Sequence, residues 1–223
     1  MKKQKIEKRP TRLRRAVKSV VIMLCALLVC RMLGGGNLTR AMAIRNGEER
    51  RGVYEKTHEI ASLPAESIYR TMRVTLTAGE NAAYCGASYL YAPFGWQEDF
   101  GAALDCTDGE RVHAGWWAMG RDGGGRALFF WGRVDDAAIA RAEILQQRTV
   151  DGQNGGDAAE TVCTTPLTWL EDGGYRYFLA GGAVAQELYG NYGSDEFLFV
   201  GYDEAGDEVL RCEISEGMSS AFS

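Results

Sequence analysis

Ala127-Leu-Phe-Phe-Trp-Gly-Arg-Val134 is the stretch that decides the fold. It is short, apolar and aromatic, and Asp135-Asp136 closes it as a turn, which together mark a strand. Ile139-Ala-Arg-Ala-Glu-Ile-Leu145 follows. Ala, Glu and Arg favour a helix there. A strand is preferred, because a strand–turn–strand pair would bury the apolar face of both segments.

Downstream, residues 151–162 begin as a Gly/Asp/Asn-rich loop, and Leu167–Leu170 is apolar. Asp172-Gly173-Gly174 reads as a hairpin turn before the strand Tyr175–Leu179. Phe197–Tyr202 and Glu208–Ile214 flank a five-residue connection containing Gly206, the pattern of another hairpin. Upstream, Ile68–Thr77 alternates Met72, Val74 and Leu76 on one face. Tyr84–Tyr91 and Val112–Met119 are further strands, whereas residues 92–110 look irregular. No long amphipathic helix alternates with these segments, which disfavours a parallel α/β arrangement. The fold class expected is mainly β: an antiparallel β-sandwich, immunoglobulin-like, preceded by an N-terminal hydrophobic helix.

Phe130-Trp131-Gly132-Arg133-Val134, Ile139–Ile144, Tyr175–Leu179 and Phe197–Val209, with Tyr202-Asp203-x-x-Gly206, carry a loose resemblance over about residues 127–214. The pattern resembles that of uncharacterised bacterial membrane-anchored or exported proteins with a C-terminal immunoglobulin-like β-sandwich. The resemblance implies a fold and a location and no activity.

Charge is distributed unevenly. Of 25 basic and 30 acidic residues, residues 1–18 hold nine basic and one acidic, which leaves 16 against 29, a net charge of −13, beyond them. So acidic a body excludes nucleic acid as a partner, because phosphate backbones draw Lys and Arg. The basic head runs directly into an apolar stretch, Ser19–Cys30. This arrangement follows the positive-inside rule and points to a membrane, with the N-terminus in the cytosol and the bulk outside or secreted. Twelve residues fit the apolar region of a signal peptide and fall short of the ~20 of a full span. Signal peptide and anchor both stay open, with Ala41-Met42-Ala43 as a distant cleavage site. The organisation expected is a basic cytosolic segment (1–18), a signal or membrane anchor (19–36), a polar stalk (37–66), the extracytoplasmic domain (67–215) and a disordered tail (216–223).

Cys85, Cys106, Cys163 and Cys212 lie beyond the apolar segment, an even number that permits two disulfides in an exported domain. Pairing in sequence order, Cys85–Cys106 and Cys163–Cys212, is expected. Their spacing suits no zinc site, and neither a metal nor a cofactor is expected.

No catalytic motif stands out. A nucleophilic pair of Cys106 with His113 lacks any surrounding signature. Adjacent acids such as Glu98-Asp99 and Asp135-Asp136 fall in turns, where carboxylates are usually solvated, and Asp203 with Asp207 offers too few oxygens for calcium. Aromatic residues are more informative. Trp116 and Trp117 are adjacent, so on one strand they face opposite ways, and one of them is exposed unless another element covers it. With Trp96 and Tyr91, an exposed tryptophan would form a platform for a glycan or an envelope protein. The expectation is a non-enzymatic binding or sensing module at the cell envelope. The alternatives are an enzyme acting on envelope polymers through a carboxylate pair, or a structural partner in an envelope complex.

Overall fold

The computed structural model describes residues 12–33, 36–120, 126–151, 157–185 and 195–216. Among these residues, helices α1 (Arg12–Leu33) and α2 (Arg40–Arg50) precede thirteen strands. These are β1 (His58–Pro64), β2 (Arg73–Ala78), β3 (Ala82–Tyr91), β4 (Gly95–Asp105), β5 (Val112–Gly120), β6 (Arg126–Val134) and β7 (Arg141–Asp151). They continue with β8 (Asp157–Pro166), β9 (Leu170–Asp172), β10 (Tyr175–Ala183), β11 (Glu196–Tyr202), β12 (Glu208–Glu213) and β13 (Ser215–Glu216).

The strands form three sheets, ordered β1-β2-β3-β4, β13-β5-β6-β10-β9 and β12-β11-β7-β8. Every pairing is antiparallel except the two-residue parallel contact of β13 with β5. The middle sheet has both faces covered, and β6 shows why its sequence is so apolar. Ala127, Phe129 and Trp131 point into a core shared with the first sheet, where they meet Val74, Leu76, Cys85 and Met119. Leu128, Phe130 and Val134 point into a second core shared with the third sheet, with Ile139, Ile144, Phe197 and Phe199. A strand buried on both faces loses the polar half of its alternation and reads as a continuous apolar run. Gly132 is needed where the chain passes closest to its neighbours: a Cβ there would lie 2.3 Å from the His113 carbonyl oxygen and 2.8 Å from the Phe178 ring.

Several expectations are corrected. The segment read as a polar stalk is folded. Thr39 caps α2 by accepting a hydrogen bond from the Met42 N–H (3.2 Å), and the helix buries Ala43, Ile44, Gly47 and Glu48. β1 pairs with β2 along its length. Charge on the outer face of α2 hid this packing. Residues 92–110, read as irregular, contain β4, whose Gly101, Ala102 and Ala103 pair with Gly86, Cys85 and Tyr84 of β3 and themselves lack the large apolar side chains that signal a strand. β2 starts five residues later than its alternation suggests, since Ile68–Thr71 is a turn. The loop expected over 151–162 gives way to β8 from Asp157, and its middle lies outside the described residues. The tail expected at 216–223 begins in β13, and residues 217–223 lie outside the described residues. Of the segment 139–145, residues 141–145 lie in the strand β7 and pair with β11, while Ile139 and Ala140 lead into it.

The two disulfides are not formed: Cys85, Cys106, Cys163 and Cys212 are free thiols. Register explains why. Cys85 is opposite Ala102, four residues short of Cys106, a separation of about 13 Å along the strand. Cys163 and Cys212 lie on the two outer strands of the third sheet, about 14 Å apart across it. A bridge needs Cα atoms within ~7 Å. Burial pushes the Cys85 thiol up, and it pushes Cys106 up to about 11.

α1 holds the apolar segment, and each side chain described on it, Arg12 to Val29, is exposed. No helix among the described residues is long and apolar enough to cross a membrane. The apolar run rises only about 18 Å as a helix, against a hydrocarbon layer of about 30 Å.

Candidate functional site

α2 lies across the face of the first sheet that points away from the other two. Tyr84 on β3 is the pivot of this contact. Its ring is fully buried and fills a cleft where a Cβ on Gly47, Gly86 or Gly101 would come within 2.4 Å of the hydroxyl. The hydroxyl donates to Glu98 (2.6 Å), and Arg50 of α2 pairs with the same carboxylate. Burial, then the adjacent Glu98 charge, raises the Tyr84 hydroxyl well above its usual range. Glu48, also buried, accepts from Thr57 (2.6 Å), Thr77 (2.5 Å) and Arg45 (3.1 Å). Two clefts flank the helix. One of about 530 Å³ lies between Val53–Glu55 and Asn81–Asp105, and one of about 270 Å³ lies between Arg40–Glu48 and Thr57–Thr77. The acids of this region are bonded to cations and hydroxyls, which suits them to fastening α2 and leaves neither Glu48 nor Glu98 free as a general acid or base.

The aromatic residues are arranged differently from a tryptophan platform. Trp116 is 7% exposed and Trp117 is 0% exposed. The pair does face opposite ways, and both ways are covered. Trp116 meets Phe197 in the second core (centroids 4.3 Å), and Trp117 meets Phe100 in the first (4.4 Å). Trp96 pairs in register with Leu90 and therefore lies on the opposite face of the β3–β4 hairpin from Tyr89 and Tyr91. A partly exposed ladder of aromatic rings is formed instead by Tyr69, Tyr89, Tyr91 and Phe94, with successive centroids 4.9, 6.4 and 5.3 Å apart, and its inner members Tyr69 and Tyr89 pack against the first core. Tyr91 is 46% exposed, and Leu90 beside it is also exposed. Thr71 fixes the strand end by accepting from the Leu90 N–H (3.1 Å). Of the four residues singled out in the sequence, only Tyr91 belongs to this ladder. Tyr69 joins from a turn 20 residues upstream of Tyr89, beyond the reach of any local pattern.

The remaining candidates take structural positions. His58 is bonded to Asp172 (2.7 Å), linking β1 to the end of β9. Cys106 Sγ is directed to the Leu104 carbonyl (3.8 Å), and the two ring nitrogens of His113 face Asp108 and Asp135, so no Cys–His couple forms. Asp203 accepts from the Asp207 N–H (2.9 Å) within the last hairpin turn. No protein-family model matches the chain, and no curated protein matches its sequence.

Proposed function

We propose that this chain is a non-enzymatic binding or sensing module that its N-terminal segment delivers to the cell envelope. The single observation that carries the binding reading is the half-exposed ladder of Tyr69, Tyr89, Tyr91 and Phe94 at the end of the β3–β4 hairpin. Tyr91 and Phe94 stack (interplanar angle 17°) at the end of the hairpin, backed by Tyr89 and Tyr69, and offer apolar faces to a sugar ring or an extended peptide; such aromatic anchors concentrate binding energy. Location is supported by α1, whose apolar residues Val20, Val21, Ile22, Met23, Leu24, Leu27 and Leu28 are distributed round the helix and are all exposed. A helix apolar all round needs a lipid or protein environment. Its 12-residue core and basic head suit an export signal. Cleavage after Ala43 would remove the Thr39 cap and cut inside α2, whose Ala43 is fully buried. The mature chain is therefore expected to retain Thr39. The body is read as a β-sandwich, with the second and third sheets forming the immunoglobulin-like part over residues 127–214 and the first sheet added to its outer face.

Binding of the full chain to purified envelope glycan and to envelope protein extract tests the reading. Tyr91→Ala and Phe94→Ala should each weaken the interaction about tenfold or more, with unchanged thermal unfolding. Affinity equal to that of the parent chain in both variants would sink the proposal.

A further inference from the structure

We propose that Asp108, Glu110 and His113 form a binding site for one divalent transition-metal ion of the zinc type, held by His113 Nδ1 and the two carboxylates. The three residues each offer a ligand atom within 4.8 Å of the others. Asp108 and Glu110 stand exposed on the turn between β4 and β5, and His113 is on β5, 4% exposed. The proposal stands apart from the aromatic ladder and does not depend on it.

The histidine supplies the independent observation. Its Nε2 is buried and has no hydrogen-bond partner. Nδ1 lies 3.7 Å from Asp108 Oδ1, and Nε2 lies 3.7 Å from Asp135 Oδ2. Both distances are too long for a hydrogen bond. A buried imidazole poised between two carboxylates is the layout of a metal-ligating histidine, in which one nitrogen binds the ion and the other donates its proton to a carboxylate. Asp135 is suited to accept that proton, because Arg133 holds both of its oxygens (2.7 and 2.6 Å). A metal at Nδ1 fixes the tautomer with the proton on Nε2, and a shift of under 1 Å toward Asp135 makes that bond. Asp108 Oδ1 also accepts from the Glu110 N–H (3.0 Å), which holds that carboxylate beside the imidazole. Both acids are exposed, and closing to the ~2.0–2.2 Å of zinc–oxygen bonds takes only side-chain rotation at Glu110 and a small shift of the turn at Asp108. One nitrogen and two oxygens suit zinc or manganese and leave a fourth position for water. The spacing Asp-x-Glu-x-x-His is visible in the sequence, but its meaning depends on the turn that brings the three together.

Zinc chloride is the probe, titrated calorimetrically into the full chain under reducing conditions. The expected result is saturable one-to-one binding that Asp108→Asn with Glu110→Gln weakens by at least about 100-fold. Both substitutions are on exposed side chains, so thermal unfolding without metal should not change. Cobalt loading should give ligand-field bands of a nitrogen–oxygen set. Absence of saturable binding, equal affinity in the double variant, or a thiolate-to-cobalt charge-transfer band that places the ion on the cysteines would each overturn the assignment.

Discussion

Alanine in place of Trp117 is expected to destabilise the protein by about 3–5 kcal/mol, and alanine in place of Trp116 by a comparable amount. These are neighbours on β5, so their side chains leave the sheet on opposite faces. Trp117 packs between Phe100 and Trp131, with centroids at 4.4 and 6.1 Å, in the core between the first two sheets. Trp116 packs on Phe197 in the core between the second and third. Each truncation therefore opens a cavity in a different core. A domain of only two sheets would leave one of the two positions on the surface, where substitutions usually change stability by no more than about 0.5 kcal/mol. Urea unfolding followed by far-ultraviolet circular dichroism distinguishes the cases: two large losses support the three-sheet stack, and one large with one negligible loss would refute it. Trp117→Phe is expected to be milder, since the buried indole N–H of Trp117 makes no hydrogen bond that the substitution could remove.

Arg133→Ala is expected to cost about 3–5 kcal/mol, the range for breaking a buried charged pair. The side chain is almost wholly buried and sits on the central strand β6. Its guanidinium bonds Asp135 twice, donates to the Glu80 carbonyl (2.9 Å) and to the Cys106 carbonyl (2.9 Å), and lies 4.2 Å from the Tyr175 ring centroid. One side chain thus ties the middle sheet to two loops of the first sheet. Alanine would leave two carbonyls and a carboxylate without their donor. Lysine would keep the charge and lose the planar fork, so Arg133→Lys should recover only part of the loss. Equilibrium unfolding of the parent and both variants gives the comparison, and a loss under about 1 kcal/mol for alanine would contradict this role.

Legibility in the sequence followed side-chain size. β6, β10 and the β11–β12 hairpin carry large apolar residues at strand spacing and are evident from the sequence. β3 is readable from Tyr84 to Tyr91, but its partner β4 carries the polar run Gln97–Asp99 and then the small Gly101–Ala103, which give little periodic signal, although Gly47, Gly86 and Gly101 held the clue that a ring passes through. α2 was obscured by Arg45, Glu49 and Arg50, charges that sit on its outer side while Ala43, Ile44 and Gly47 make the contact. Adjacent tryptophans showed that two faces had to be covered, but a strand pattern carries no information on how many sheets lie above it. Disulfide pairing depended on register, which the sequence leaves open. Of the candidate binding surface only Tyr91 was visible, because a ladder of rings from three segments is a property of the folded hairpin. The Asp108–Glu110–His113 group shows the same limit: its spacing is ordinary until burial isolates the imidazole between two acids.

The central claim is that the apolar N-terminal segment carries an acidic β domain out of the cytosol. The most direct test is protease accessibility in intact cells expressing the full chain, read with an antibody against the domain and with the intact mass of the protected and released products. The account predicts that protease added outside reaches the domain, or that the domain is found in the medium, and that the mature product still contains Thr39. A chain of full length, protected in the cytosolic fraction and digested only after lysis, would contradict it.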